Sequence, residues 1–238
     1  MSTIPAPTNW PEIVSQDEWN RAQARHLKLE KALTRMRDAV SASRKRLPMV
    51  EITTPYVFEG EDGPVTLLDL FQGHRQLILQ HFMFHPDWDE GCDGCSMMAD
   101  HIGPLAHMQA RDTTYVAVAR APLAKLTAFR ERMGWEFPFY SSHGTSFNED
   151  FGVTVDDNED QGMSFLVRDG DRVFRTHFTT GRGVEDAIST FVLLDHTVFG
   201  RQEEFEDAPA GWPQTEMYSW WKLHDRYGAE PATVPSHQ

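Results

Sequence analysis

Ala22, Leu29, Leu33, Met36 and Val40 recur at intervals of seven, four, three and four, so they share one stripe of a helix. Ser15 and Glu18 form a capping-box signature ahead of that stripe, the serine oxygen accepting from an early helical N–H while the glutamate reaches back. Arg44, Lys45 and Arg46 suit the negative end of the helix dipole, and Pro48 stops the helix. A stripe of this kind predicts a helix lying on something else, either the main domain or a second copy of the chain. Interleaved Glu30 and Asp38 disfavour a membrane-binding face.

Beyond Pro48 the period shortens. Tyr56-Val57-Phe58 is β-like and ends in Gly60-Glu61-Asp62-Gly63, which predicts a hairpin or tight loop. Leu67–Phe71 predicts a brief helical turn ended by Gly73, and Gln76–Phe84 a strand buried on both faces. After a loop, helical sequence is expected from the cysteine motif to about Gln109. Thr114–Ala119 reads as a second buried strand, and Pro122 as the first residue of a helix to Met133 with Gly134 as its cap. This alternation predicts parallel strands joined by right-handed crossovers. Ser164–Val167 and Arg172–Phe178 flank Asp169-Gly170, a strong hairpin signal that makes the sheet mixed. A last helix is expected from Val184 to about Leu194, covering one face with Ile188, Phe191 and Val192.

Past Gly200 acid, proline and tryptophan accumulate, and Trp212, Tyr218, Trp220 and Trp221 bear too much apolar area to stay in water. The expected organisation is an N-terminal helical extension (1–48), a domain (49–202) and an aromatic tail packed on it (203–238).

Composition narrows the class. The 238 residues include 40% hydrophobic and 24% charged side chains, which fits a globular chain with a real core and excludes disorder or collagen-like repetition. A formal net charge of −14 repels phosphate backbones and anionic lipids, so nucleic acid and membrane are not expected as partners. No apolar run approaches the roughly 20 residues of a membrane helix. Met1–Pro5 lacks a secretory layout, so the expected location is cytoplasmic. In that compartment a pair of thiols close in sequence points to redox or metal chemistry.

The chain has two cysteines, Cys92 and Cys95, in a Cys-x-x-Cys spacing between a buried strand and a helix. Unpaired N–H groups and the positive end of the dipole favour a thiolate at Cys92, and Cys95 lies one turn on, within disulfide reach. Cys92 is the candidate nucleophile and Cys95 the resolving thiol. The carboxylates of Asp87, Asp89, Glu90 and Asp93 oppose the thiolate, and Arg120, at the end of the neighbouring strand, is the candidate compensating cation. Trp88 is a candidate shield or docking surface, or a packing residue; Asp87 and Glu90 are candidate proton relays, or solvated loop charges. A metal site would need both thiolates with His81, His85 or His101, a lesser reading because His81 and His85 share no helical face. Phosphate-loop, nucleophile-elbow and zinc-protease motifs are absent, and Gly181-Arg182-Gly183 is accounted for as a helix-entry loop.

The order of elements resembles a thioredoxin-like fold of the peroxiredoxin-like branch. Thr66–Phe84 resembles the opening of that branch, and Phe137–Ser142 with Phe151-Gly152-Val153 resembles its later strand and helix. More specifically, Phe82–Ser96, Val116–Pro122, Arg132–Trp135, Gly211–Gln214 and Tyr218–Trp221 resemble an uncharacterised bacterial thioredoxin-like family, domain of unknown function 899. The resemblance implies an α/β mixed sheet flanked by helices and no established reaction. Gly91 stands where thioredoxins have tryptophan, Gly162-Met163 where they have a cis-proline, and Asp89 where peroxiredoxins have a hydroxyl residue. The expectation is a thiol–disulfide oxidoreductase acting on a disulfide or oxidised thiol, without a cofactor, in a possible homodimer. Its alternatives are a non-catalytic binding or scaffold protein and, less favoured, a metal-binding protein.

Overall fold

Residues Leu77, Leu79, Val116 and Val118 bury on one face of the sheet, while Tyr115, Ala117 and Ala119 bury on the other. Strands covered on both faces need helices above and below, and the rest of the chain supplies them. The computed structural model describes residues 9–227. The expectations for Met1–Pro5 and for the tail beyond Tyr227 lie outside the described residues.

In chain order the elements are α1 (Gln16–Arg44), β1 (Val50–Ile52), β2 (Val57–Gly60), β3 (Gly63–Thr66), β4 (Gln76–His81), α2 (Asp93–Ala99), α3 (Ala106–Gln109) and β5 (Thr113–Ala119). There follow α4 (Leu123–Met133), β6 (Phe139–Ser141), α5 (Phe147–Asp150), β7 (Thr154–Val155), β8 (Asn158–Glu159), β9 (Gly162–Asp169), β10 (Arg172–Thr179) and α6 (Ser189–Leu194). The main sheet has the order β1-β10-β9-β4-β5-β6-β2-β3. Its centre β4-β5-β6 is parallel, and β9 joins β4 antiparallel, so the sheet is mixed and flanked by helices as in a thioredoxin-like fold. β7 and β8 make a separate small hairpin.

Local chemistry explains where elements begin and end. In α4, Leu126, Phe129 and Met133 are buried at spacings of three and four, and Gly134 closes the helix at φ 67°. Pro122 is the N-cap of that helix rather than its first residue, its ψ of 145° being extended. The hairpin turn is Gly170-Asp171, one residue later than expected: Asp169 pairs with Arg172, and of the two turn residues only Gly170 takes positive φ. The helical stretch expected to reach Gln109 is divided at Gly103-Pro104, where proline lacks an N–H and restricts the residue before it. The expected helix from Val184 becomes a 3-10 turn over Gly181–Ala187 followed by α6, because Ile188 adopts φ −103°, ψ 94°.

β4 stops at His81, three residues short of the expected Phe84. Phe82 and Phe84 are nonetheless buried, packing their rings against Phe129. The two core faces then divide the work. One packs Phe82, Phe84, Leu126, Phe129, Trp135 and Phe191 under α2, α4 and α6; the other packs Phe58, Leu70, Phe71 and Phe147 beside the β2–β3 hairpin.

α1 carries the expected capping box, with Glu18 N–H donating to Ser15 Oγ at 3.3 Å and Ser15 N–H to Glu18 Oε2 at 3.0 Å. No residue of α1 is buried, and Leu29, Leu33, Met36 and Val40 stay exposed. The stripe is therefore not covered by the chain's own domain. The arm is tied down beside the helix by Trp10 against Phe199 at 5.5 Å and by Trp212 Nε1 donating to Asn9 O at 2.5 Å.

Candidate redox site

Met83 holds both cysteines. Its carbonyl accepts from Cys92 N–H at 3.0 Å and its own N–H donates to Cys95 Sγ at 3.4 Å. The strand has ended two residues earlier, so these backbone groups are free of ladder bonds and fix the loop that carries the motif. Cys92 is the N-cap of α2, half-buried; Cys95 lies in its first turn, 2% exposed. Both are free thiols, 3.9 Å apart.

The two thiols are unlike in their protonation. The Cys95 thiol donates to Cys92 and lowers its pKa from 9.0 to about 7; burial opposes this, and the N–H groups of Cys95 and Gly94 assist it. Those N–H groups are among the unsatisfied donors of the helix start, as expected for a thiolate at an N-cap. Among the nearby carboxylates, the charge of Asp93 opposes ionisation. The Cys95 pKa is pushed well up by its hydrogen bond to Cys92, by burial and by the charge of Cys92. The geometry thus favours ionisation at Cys92 over Cys95.

The cleft above them has a volume of about 1010 Å³. Trp88, Asp87, Glu90, Met83, Met98, Gln161, Glu185, Tyr218 and Trp221 are among its lining residues. Asp87 is exposed and its N–H donates to His85 Nδ1 at 3.1 Å. Trp88 is half-buried and its carbonyl accepts from Lys125 Nζ at 2.9 Å. Glu90 is not a solvated charge: it binds Arg132 Nη1 at 2.5 Å and also Arg226. A carboxylate held by two guanidiniums is a structural anchor and a poor proton carrier.

Arg120 does not line the cleft. Its guanidinium meets Asp157 Oδ1 at 2.6 Å, Glu159 Oε1 at 3.1 Å and Glu149 Oε1 at 3.7 Å. The expectation that it compensates the cysteine charge fails because three carboxylates, two of them on the β7–β8 hairpin, take it up. The histidines of the metal reading are also engaged apart from the sulfurs. His81 bonds Ser164 Oγ at 2.8 Å, His85 faces Asp157, and His101 bridges Met97 O and Thr190 Oγ1. Among the described residues no group of three or more potential ligands is placed to hold a metal.

The tail builds the far wall. Trp221 stacks on Phe191 with centroids 5.4 Å apart and on Tyr218 at 4.6 Å, while Leu223 is fully buried. Tyr218 hydrogen-bonds Glu185, whose other oxygen receives Arg201 Nη1 at 2.9 Å. Buried Glu203 orients the same segment, accepting from Tyr218 N–H at 2.9 Å and Trp220 Nε1 at 2.8 Å. Gly94, between the cysteines, gives Trp221 room: a Cβ there would lie 3.2 Å from the indole. The sequence alone does not reveal the roles of Gly94, Glu185 and Met83. Of these only Gly94 carries a signal, as a small residue inside the motif.

No helix of the described residues is long and apolar enough to cross a membrane. Solved structures similar to this chain include the Xanthomonas campestris bacterioferritin comigratory protein, 12% identical with a TM-score of 0.46, covering 62% of this chain and 96% of that one. Peroxidoxin BcpB from Mycobacterium tuberculosis is 20% identical with a TM-score of 0.39, covering 60% of this chain and 92% of that one. A putative protein disulfide isomerase from Bacteroides thetaiotaomicron is 20% identical with a TM-score of 0.42, covering 62% of this chain and 87% of that one. No curated protein matches the sequence. Residues 8–227 match the family described as "Bacterial protein of unknown function (DUF899)", and the chain belongs to that family.

Proposed function

We propose that this protein is a thiol–disulfide oxidoreductase with Cys92 as nucleophile and Cys95 as resolving thiol. The observation that carries the reading is the asymmetric pair: a half-buried N-cap cysteine brought down to about 7, 3.9 Å from a buried protonated one. In the first step Cys92 thiolate attacks one sulfur of a substrate disulfide, forming a mixed disulfide and releasing one substrate thiolate. Consuming the Cys92 charge removes a cause that held the Cys95 pKa up. Cys95 then gives its proton to the first departing thiolate and attacks Cys92 sulfur, releasing the second substrate group as a thiolate that takes its proton from solvent. The substrate gains two electrons and the cysteine pair becomes a disulfide, which an external thiol reductant must reopen. Met83 N–H remains in place as a donor to the Cys95 sulfur as it ionises.

A reducing cytoplasm suits this cycle, because there the pair is returned to dithiol. The exposed stripe of α1 is read as a pairing surface between two copies of the chain. Its narrow seam of Leu29, Leu33, Met36 and Val40 has the spacing by which two helices interlock.

A Cys92→Ser variant tests the chemistry in a small-disulfide reduction assay, where activity should vanish. Unchanged turnover would remove the assignment. A scaffold role instead requires a Cys92 alkylation profile centred near the ordinary 9.0.

A further inference from the structure

Resting on that redox reading, we propose that the cleft selects low-molecular-mass disulfides carrying cationic groups, such as aliphatic diamine disulfides, over anionic disulfides and over protein disulfides. Size is the first argument. The cleft volume of about 1010 Å³ is that of a small-molecule site, walled on one side by the loop before α2 and on the other by the tail. Cys95 is sealed and Cys92 half-buried, so an attacking approach must enter the cleft rather than graze a flat surface.

Charge is the second argument. Five carboxylates line the cleft, those of Asp87, Asp89, Glu90, Asp93 and Glu185, against one guanidinium, Arg226. Arg226 is committed to Glu90, and Glu185 is committed to Arg201 and Arg182. Asp87, Asp89 and Asp93 have no Lys or Arg ion pair among the described residues, and all three are exposed at the rim. Asp93 lies in the field of Arg226 and Lys222, which leaves Asp87 and Asp89 as the carboxylates without a Lys or Arg partner, and these attract a cationic reactant and repel an anionic one. Trp88 adds an aromatic ring to the same walls, and aromatic rings attract ammonium groups.

The reaction stays balanced as before: one diamine disulfide takes two electrons and two protons to become two aminothiols, while Cys92 and Cys95 form a disulfide that dithiothreitol reopens. The test uses the full reduced chain with cystamine, bis(2-hydroxyethyl) disulfide and 3,3′-dithiodipropionate as cationic, neutral and anionic probes of similar length. Rates of pair oxidation are divided by each probe's rate with dithiothreitol, which removes intrinsic reactivity. Cystamine should exceed the anionic probe by about tenfold or more at low ionic strength, the gap narrowing at high salt. An Asp87→Asn/Asp89→Asn double variant should shrink the ratio of the cystamine rate to the dithiodipropionate rate, and a ratio as large as in the native chain would overturn the charge argument. Insulin should be reduced more slowly than the neutral probe.

Equal normalised rates, an anionic preference or faster insulin reduction overturns the selectivity while the redox reading stands. Neutral-probe exchange no faster than that of the Cys92→Ser variant overturns the redox reading, and the selectivity with it.

Discussion

Cys95 sits beneath Cys92 as a hydrogen-bond donor, and that contact is the largest single cause of the lowered Cys92 pKa. Replacing Cys95 with alanine removes the donor while leaving the N–H groups of the helix start in place. The midpoint of iodoacetamide alkylation against pH should move from about 7 in the native chain toward 9.0 in Cys95→Ala. Cys95→Ser should shift it less, because a hydroxyl still donates. A midpoint identical in native chain and Cys95→Ala would show that the helix entrance alone sets the acidity.

Gly94 and Trp221 should be energetically coupled. Alanine at position 94 improves helix propensity by up to about 1 kcal/mol but brings a Cβ to 3.2 Å from the indole. Gly94→Ala should therefore be neutral or destabilising in the native chain and stabilising in a Trp221→Ala background. A double-mutant cycle in urea reads the difference, with a coupling on the order of 1 kcal/mol expected. Strict additivity would mean that the tail does not rest on α2 in solution.

His81 makes the fold acid-sensitive. Burial, with a further contribution from Arg175, lowers its pKa from 6.5 to about 3, so it stays neutral in the folded chain while the unfolded chain takes up a proton first. The stabilisation this represents is complete above 6.5 and is lost as pH falls from there through about 3, at up to about 1.4 kcal/mol per pH unit. His81→Gln keeps a partner for Ser164 and removes the titration. Unfolding free energies at pH 7 and pH 4.5 should drop more steeply for the native chain than for the variant, and parallel slopes would exclude His81 as the sensor.

The uncovered stripe of α1 leads to a prediction about mass. Sedimentation of the 27.3 kDa chain should give a dimer, and Leu33→Glu with Met36→Glu should give a monomer of unchanged secondary structure. A native chain sedimenting as a monomer at tens of micromolar would remove the pairing.

Much of this arrangement is legible in the sequence wherever the cause is local. Leu77–Leu79 with Phe82–Phe84, and Tyr115–Ala119, mark two buried strands by their apolar residues, α4 is marked by its spacing and Gly134, and the capping box by Ser15 and Glu18. Legibility ends where partners come from distant parts of the chain. Arg120 reaches the expected end of its strand, yet Asp157 and Glu159 on a hairpin of two-residue strands claim its charge, and that hairpin has no apolar period to reveal it. The edge strand β1 is equally silent, being three residues long and mostly exposed. The tail's aromatics declare that they pack on the domain, where Trp212, Tyr218, Trp220 and Trp221 are half-buried; their seat beside α2 depends on Glu185 and Glu203, neither of which belongs to a recognisable pattern, and on Gly94.

Because Tyr218 and Trp221 leave the ribosome long after Cys92 and Cys95, a growing chain carries its two thiols before the covering wall exists. Truncation ahead of Tyr218 would leave Cys92 and Cys95 permanently without that wall.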